Sequence, residues 1–229
     1  MAELKKIYKN ITEDGIFTTL AGSELNARQG HVNAYAKTVD KYMAFVTDEP
    51  DKWALMVNNP YRYPLKEYND AINDNEVMLI PHHTNTDSFV SGGFVNSDGL
   101  PAWGAMPWPC NGSAYEHVRL IEIVQTSGSY ETEDYQEGWK MRKGTGTLGG
   151  AARTALTKGF KIGFCGCTDA HNGWPTGKVG GAFCAGLTGV LSDELTSDAI
   201  FDNLYQRCCY ATTGARIVAA ARMDGCLMG

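Results

Sequence analysis

The chain has 229 residues, of which 43% are hydrophobic, and its 20 Lys and Arg against 26 Asp and Glu give a formal net charge of −6. This length and apolar content predict one folded domain over residues 1–229, and they exclude a disordered tail, a collagen-like chain and a coiled coil. We do not expect a nucleic-acid partner, because binding phosphates needs clustered Lys and Arg and only short groups such as residues 140–143 occur.

The first part of the chain alternates short β-rich runs with helical ones, which is typical of parallel strands joined by crossovers and predicts an α/β fold. The strands predicted here cover residues 16–21, 31–36 and 77–80. Leu65, Tyr68 and Ile72 recur at helical spacing before the last of these strands. The run 77–80 is continuously apolar, as in a strand buried on both faces.

Residues 84–117 are rich in Gly, Pro, Trp and Asn and have no clear period. Loops this long inside a compact domain are usually either functional or disordered. Four large aromatic residues, Phe89, Phe94, Trp103 and Trp108, favour the first alternative. We therefore interpret 84–117 as a long active-site loop.

The rest of the chain again alternates strand-like and helical segments. We predict strands at residues 118–124, 161–167, 187–191 and 210–218, and helices at residues 148–158 and 197–207. Thr196 is a suitable N-cap for the last helix, and Asp198 places negative charge in its first turn, where the helix dipole favours it.

The sequence also bears on compartment and redox state. No stretch approaches the roughly 20 apolar residues that span a bilayer, and the first residues lack the apolar core of a secretory signal, so we expect a cytoplasmic protein with no membrane partner. Among the seven cysteines, the pairs Cys165 with Cys167 and Cys208 with Cys209 are too close for ordinary disulfides or zinc knuckles. We expect them to be reduced and mostly buried.

The five histidines are His31, His82, His83, His117 and His171. Four of them lie at or just beyond the end of a predicted strand. Ligand-binding groups gather at the carboxyl ends of strands in barrels and open α/β sheets. His117 has no comparable setting and is interpreted as structural.

Asp169 and His171 flank a small residue, Ala170, directly after the predicted strand at 161–167. Side chains alternate along extended backbone, so the two can point to one side and present a carboxylate oxygen and an imidazole nitrogen to one place. That arrangement is typical of a metal site, although an Asp and a His that cap a turn would give the same pattern.

His82 and His83 follow the apolar run 77–80. Adjacent residues on extended backbone face opposite ways, so one histidine can be a metal ligand while the other orients substrate or supports the ligands. We favour His82 as the ligand. The alternative is a pair of histidines in a surface loop.

Glu24 and His31 lie at the edges of predicted strands, where a carboxylate can bridge two cations and a histidine can complete one of them. The alternative is a solvated or structural pair. Glu122 is an acid within an apolar strand, which costs free energy unless the carboxylate is paired, protonated or metal-bound.

Six segments together resemble the PHP (polymerase and histidinol phosphatase) superfamily, and in particular a large, poorly characterised bacterial branch of it. These segments are residues 17–24, 30–35, 80–84, 122–131, 166–173 and 207–217. The resemblance implies a metal-dependent hydrolase on a distorted (β/α)7-type barrel. It further implies two or three divalent metal ions, Zn, Mn or Fe, and a small-molecule substrate, a phosphate ester hydrolysed by a metal-activated water.

The resemblance also implies roles for individual residues. Glu24 would bridge the metals, with His31 and His82 completing one metal and Asp169 and His171 binding the remaining positions. Catalytic roles would fall to Glu24, His83 and Arg216, with Glu122 nearby. Arg216 could hold a substrate phosphate through paired hydrogen bonds, or it could simply brace the last strand.

The chain departs from the family at its start, because members begin with a strand that carries a His-x-His pair and no histidine precedes Glu24. We therefore expect an incomplete barrel that lacks its first strand, as in a fragment, a split subunit or a degenerate copy. An unpaired edge would favour an oligomer or a second chain that supplies the strand.

Two alternatives to a hydrolase stay open. One is a catalytically silent barrel fragment with an incomplete metal site. The other is a ligand-binding module lined by the aromatic residues Trp103, Trp108, Tyr115 and Trp174, since aromatic faces suit apolar or sugar ligands.

Overall fold

The structure is a computed structural model, and it describes residues 2–27, 30–47, 65–82, 84, 108–125, 128–132, 149–169 and 186–228. The α-helices in these residues are α1 (Ala2–Ile11), α2 (Val39–Thr47), α3 (Leu65–Asp70), α4 (Ala152–Thr157) and α5 (Ser197–Tyr205). The strands are β1 (Ala21–Ala27), β2 (Gly30–Ala36), β3 (Val77–Pro81), β4 (Leu120–Gln125), β5 (Gly128–Ser129), β6 (Gly163–Gly166), β7 (Leu187–Val190), β8 (Cys209–Thr212), β9 (Arg222–Met223) and β10 (Cys226–Leu227). A short 3-10 helix covers Gly112–Ala114.

The prediction of a distorted (β/α)7-type PHP barrel, complete or lacking its first strand, is wrong. The described strands form four small sheets, in the orders β1-β2-β3, β5-β4-β6, β7-β8 and β9-β10, and none of them closes. Among these pairings only β4 with β6 is parallel. β2 pairs antiparallel with both β1 and β3. The alternation of strand and helix signals in the sequence suggested parallel strands joined by crossovers. In the structure the chain instead reverses direction between β1 and β2 and between β2 and β3.

Several predicted elements occur where the sequence places them. Helix α3 includes Leu65 and Tyr68 of the expected apolar spacing but ends before Ile72, and all five residues of β3 are buried. At the start of α5 the Thr196 hydroxyl accepts a hydrogen bond from the backbone N–H of Ala199 at 3.2 Å, which confirms the N-cap. The strand predicted at 16–21 is displaced, because β1 begins only at Ala21. The last predicted strand is shorter than expected, since β8 ends at Thr212.

The main hydrophobic core lies on one face of the β1-β2-β3 sheet. Leu25, Val32 and Leu79 are no more than 1% exposed and pack there with Ile121 of β4. A parallel bridge between Leu79 and Val118 brings β3 beside the start of β4. The core therefore joins the two three-stranded sheets. The other face of the first sheet carries polar residues of β1 and β2, and beside them Met78 and Ile80 of β3 are buried in a second apolar cluster with Phe201.

The described end of the long loop is part of this core. Trp108 is 1% exposed, its indole N–H donates to the carbonyl of Gly150 at 2.8 Å, and its ring meets Phe160 edge to face at 4.8 Å. Tyr115 lies 5.1 Å from the same ring. The Trp108 ring is therefore packed in the core, and residues 85–107, including Trp103, lie outside the described residues, as does Trp174.

Candidate metal centre

The alternation of side chains along β1, β2 and β3 gathers polar residues on one face of their sheet. Glu24 pairs with Asn33 across the first two strands, and Asn33 pairs with Ile80 across the next two. Because paired residues share a face and side chains alternate along a strand, His31 lies on that face with Asn33. His82 directly follows β3, and its backbone N–H donates to the carbonyl of His31 at 3.1 Å.

Three of these side chains, Glu24, His31 and His82, converge on one point. Oε1 of Glu24 contacts Nδ1 of His31 and lies 3.1 Å from Nε2 of His82. One donor atom from each residue falls within 4.8 Å of the other two. The His31 and His82 side chains are 5% and 3% exposed, whereas that of Glu24 is 41% exposed. The imidazoles are thus fixed by packing, and the carboxylate faces the open side.

Glu122 supports His82 from behind. Its carboxylate is 1% exposed, and Oε2 lies 3.4 Å from Nδ1 of His82, the ring nitrogen that faces away from Glu24. Metal-binding histidines typically donate their other ring N–H to a carboxylate, which fixes the ring and makes the ligating nitrogen more basic. The partner expected for a carboxylate buried in an apolar strand is therefore His82.

Asp169 reaches the same place from the end of β6. Gln125 donates from Nε2 to Oδ2 of Asp169 at 3.0 Å. A shift of register between Glu122 and Val124 interrupts the regular alternation of β4 just before Gln125, as β-bulges near functional sites often do. Asp169 has a φ of +48°, a left-handed conformation that Asp tolerates better than most residues.

These side chains line a cavity of about 340 Å³. Its lining residues are Glu24, Asn33, Tyr35, His82, Glu122, Cys167, Thr168 and Asp169. Three of them are carboxylates, and the described lining includes no Lys or Arg. The cavity therefore concentrates negative charge against buried imidazole, which favours a cation.

Electrostatics within the cavity favour the charged forms of its carboxylate and imidazole. Burial alone would lower the pKa of His82, but Glu122 and Glu24 outweigh it and raise that pKa to about 10. Burial likewise would raise the pKa of Glu24, yet its hydrogen bonds to His31 and His82 hold the pKa well below its usual range. Without a metal, the positive charge between the carboxylates is therefore carried by imidazolium.

Two further groups in the lining stay uncharged. A hydrogen bond between the two thiols of Cys165 and Cys167, burial and the nearby Glu122 raise the pKa of the Cys167 thiol. Burial, followed by the neighbouring Cys167, raises the pKa of the Tyr35 hydroxyl. Cys167 thus remains a thiol and Tyr35 a neutral hydrogen-bonding group at neutral pH.

The other residues proposed from the sequence lie elsewhere or outside the described residues. His83 and His171 lie outside the described residues. Arg216 is exposed in the segment after β8 and is absent from the described lining of the cavity. His117 is buried away from the cluster, where Nδ1 lies 3.2 Å from the Tyr205 hydroxyl, and this agrees with its structural interpretation.

Sequence reasoning missed Asn33, Tyr35, Gln125 and Thr168. Asn33 and Tyr35 alternate with buried small residues after His31, so the period of two along β2 contained the signal. Gln125 had no such signal, because its position depends on the register shift in β4. For Thr168 the one signal was its place directly before Asp169.

The donor set fits a divalent transition metal. Imidazole nitrogen with carboxylate oxygen suits Zn, Mn or Fe. Zinc bonds to these ligands are about 2.0–2.2 Å long, so donor atoms on one ion lie about 3–4 Å apart, which small side-chain shifts reach from the observed spacing. Three protein ligands also match the number found in catalytic zinc sites, where a fourth position is left for water or substrate.

Comparison with known proteins identifies relatives but no activity. No protein-family model and no solved structure matches the chain. The chain is similar to an uncharacterized protein of Chlamydia muridarum (strain MoPn / Nigg) and to one of Chlamydia trachomatis serovar D, each 29% identical over 121 residues. That alignment covers 50% of this chain and 19% of either relative, so the matched region is about a fifth of the length of those proteins.

No helix in the described part of the chain is long and apolar enough to cross a membrane. The longest described helix, α1, has 10 residues and no buried side chain.

Proposed function

We propose that the chain binds a divalent transition metal ion through Glu24, His31 and His82 and hydrolyses a small-molecule phosphate ester beside it. The observation that carries the proposal is the convergence of one carboxylate and two buried imidazoles, with donor atoms within 4.8 Å of one another. The contact of Glu122 with the far side of His82 supports it, since it reproduces the carboxylate–histidine arrangement typical of metal ligands.

Each residue has a defined task in this proposal. A bound divalent ion supplies Lewis-acid chemistry, polarising a phosphoryl oxygen and lowering the pKa of a water from 15.7 to about 7. Glu122 holds the Nδ1 proton of His82, so that Nε2 stays directed at Glu24. Asn33, Tyr35 and Thr168 place amide and hydroxyl groups on the cavity wall, where they can orient a polar substrate.

The charge of the cavity supports a phosphate ester as substrate only with metal bound. Three carboxylates and no cationic side chain in the described lining would repel a phosphate. One divalent ion offsets part of that charge, and Asp169, held by Gln125, is available for a further ion. The complement of two or three ions expected from the sequence is therefore part of the proposal.

Metal content is the first test. After expression with Zn, Mn and Fe supplied, elemental analysis of purified wild-type protein should show one of these metals at up to about one ion per Glu24–His31–His82 cluster. His31→Ala and His82→Ala should lose it. His117→Gln is the matched control, because it alters a buried histidine outside the cluster and should keep the metal. Wild-type protein free of transition metal would contradict the proposal.

Hydrolysis is tested separately with a model aryl phosphate. Wild-type protein should release phosphate, lose this activity on dialysis against a chelator and regain it when metal is restored. Protein that binds metal but hydrolyses nothing across a panel of phosphate esters would instead favour the catalytically silent alternative.

Other expectations from the sequence stay predictions. The relation to the PHP superfamily and the cytoplasmic location are two such predictions. β1 lies at the edge of its sheet among the described residues, where an added strand from a second chain would pair, and size-exclusion chromatography would detect such an oligomer.

A further inference from the structure

A second cavity, of about 270 Å³, lies at the amino ends of β4 and β6. Its lining residues are Gly112, Ser113, Tyr115, Glu116, Arg119 and Lys161. Arg119 precedes β4, whereas Gln125 and Asp169 meet at the other end of the strand. Arg119 and Gln125 are separated by six residue steps, which at about 3.3 Å per step place the two cavities roughly 20 Å apart.

Arg119 is held in a fixed orientation. Its Nε donates to the carbonyl of Tyr205 at 2.7 Å, and Nη1 donates to the carbonyl of Glu116 at 3.3 Å. The guanidinium carbon lies 4.4 Å from the centre of the Tyr205 ring. A guanidinium carries five N–H donors, so these two bonds fix the group and leave other donors for a ligand. Arg119 is thus pre-organised for paired hydrogen bonds to an anion.

Arg207 is not itself a lining residue, but it contacts Lys161, which is, and it adopts an unfavourable backbone conformation. It lies just after the C-cap of α5 with a φ of +69°, in the left-handed region where glycine is favoured. Its Nη1 donates to the carbonyl of Lys161 at 3.3 Å. A Cβ added at Gly163 would lie 2.8 Å from Cβ of Arg207, so the absence of a side chain there makes room for the arginine stem. The chain therefore has an arginine at position 207, where a glycine would be less strained, and a glycine at position 163, which leaves space for the arginine stem.

No described carboxylate lies within ion-pair distance of Arg119, Lys161 or Arg207. The acidic residue in the lining, Glu116, contacts Arg119 through its backbone carbonyl. Burial and the nearby Arg207 lower the pKa of Arg119, which reflects repulsion between the two guanidinium groups. An anion placed between the cations would relieve that repulsion.

We infer that this cavity binds the phosphate group of a small molecule, at a site separate from the candidate metal centre. The cations supply charge-assisted hydrogen bonds, and arginine offers them in the forked geometry that matches phosphate. The cavity volume admits a phosphate together with part of an organic group, and the Tyr115 ring lies in its wall. Inorganic phosphate and a phosphomonoester share the recognised group, and the test below separates them.

Titration calorimetry of the full metal-free chain with inorganic phosphate and with phenyl phosphate tests the inference. We expect saturable binding by the wild type, and tighter binding of phenyl phosphate would identify an organic phosphate as the ligand. Arg119→Gln and Lys161→Gln should each weaken phosphate binding by about tenfold, the scale of one charge-assisted hydrogen bond.

Arg207→Gly removes a cation and at the same time relieves backbone strain, so weaker phosphate binding by this variant could not be attributed to a loss of stability. It should weaken phosphate binding by about tenfold and raise the melting temperature. Arg222→Gln, which alters an arginine in the β9–β10 hairpin, should leave binding unchanged. Absence of saturable phosphate binding by the wild type, or equal binding by all of these variants, would overturn the inference. Loss of phosphate binding in His82→Ala, in samples that circular dichroism shows to be folded, would overturn it too, since the phosphate would then occupy the metal cavity.

Discussion

The two cavities at opposite ends of β4 differ in charge and in how that charge is held. At the carboxyl end, Glu24, Glu122 and Asp169 surround buried imidazole, and residues from strands distant in sequence contact each other directly. At the amino end, Arg119 and Arg207 donate to backbone carbonyls, and Lys161 is exposed. In the acidic cavity the carboxylates therefore face oppositely charged imidazole groups of the protein. In the cationic cavity a bound ligand would have to supply the negative charge.

This difference predicts that the acidic cavity matters more for stability. Removing an imidazole there leaves a carboxylate buried without its partner, whereas removing a cation from the other cavity only reduces repulsion. Four changes test the contrast, beginning with the one expected to have the largest effect.

His82→Ala should destabilise the metal-free protein by about 3–5 kcal/mol, because Glu122 would stay buried without its partner. Urea unfolding followed by circular dichroism measures this free energy. The double variant His82→Ala/Glu122→Gln is the control and should recover part of the loss, because the unpaired charge is gone. A loss below about 1 kcal/mol in the single variant, the scale of an exposed ion pair, would show that the pair contributes little.

Glu122→Gln should keep the fold and weaken metal binding by about 10- to 100-fold, the usual effect of altering a residue that orients a ligating histidine. Glutamine preserves the size of the side chain and can still accept a hydrogen bond from Nδ1 of His82. Competition with a chromophoric chelator measures the affinity. An unchanged metal affinity would show that Glu122 does not help to orient His82 as a ligand.

Arg207→Gly should raise the free energy of unfolding by about 0.5–1 kcal/mol, because glycine adopts the left-handed conformation without a Cβ clash. Thermal and urea unfolding of the variant and of Arg222→Gln give the comparison. A destabilised Arg207→Gly would show that packing of the arginine stem over Gly163 outweighs the strain of its backbone.

Salt should also distinguish the two cavities. Raising NaCl from about 0.05 to about 0.5 M shortens the Debye length several-fold and should weaken phosphate binding at the exposed cations by about tenfold. Metal binding at the buried ligands should change by less than about threefold, since buried charges are screened less. Equal salt dependence of the two affinities would contradict the contrast in burial.

The sequence predicted much of the acidic cavity. The resemblance to the PHP superfamily implied that Glu24, His31 and His82 share a metal, and the structure brings these side chains together. The buried Glu122 was expected to need a partner, and it has one in His82. The prediction for Glu122 depends only on the apolar residues of its own strand, whichever way the neighbouring strand runs.

Strand direction and the cationic cavity were not predictable in this way. The residues of single strands do not show which way a neighbouring strand runs, so the barrel prediction failed although β2 and β3 were foreseen and the first strand was expected a few residues before β1. The cationic cavity joins loop and helix-end residues with no shared motif, and Arg207 owes its position to a left-handed backbone that sequence spacing does not reveal.

The central claim is that Glu24, His31 and His82 hold a divalent metal ion. Anomalous diffraction at the zinc absorption edge, from crystals of zinc-loaded protein, tests it most directly. The account predicts a peak about 2.0–2.1 Å from Nδ1 of His31 and Nε2 of His82, with an oxygen of Glu24 at a similar distance. A zinc-loaded crystal with no peak among these three side chains, or with its zinc bound elsewhere, would contradict it.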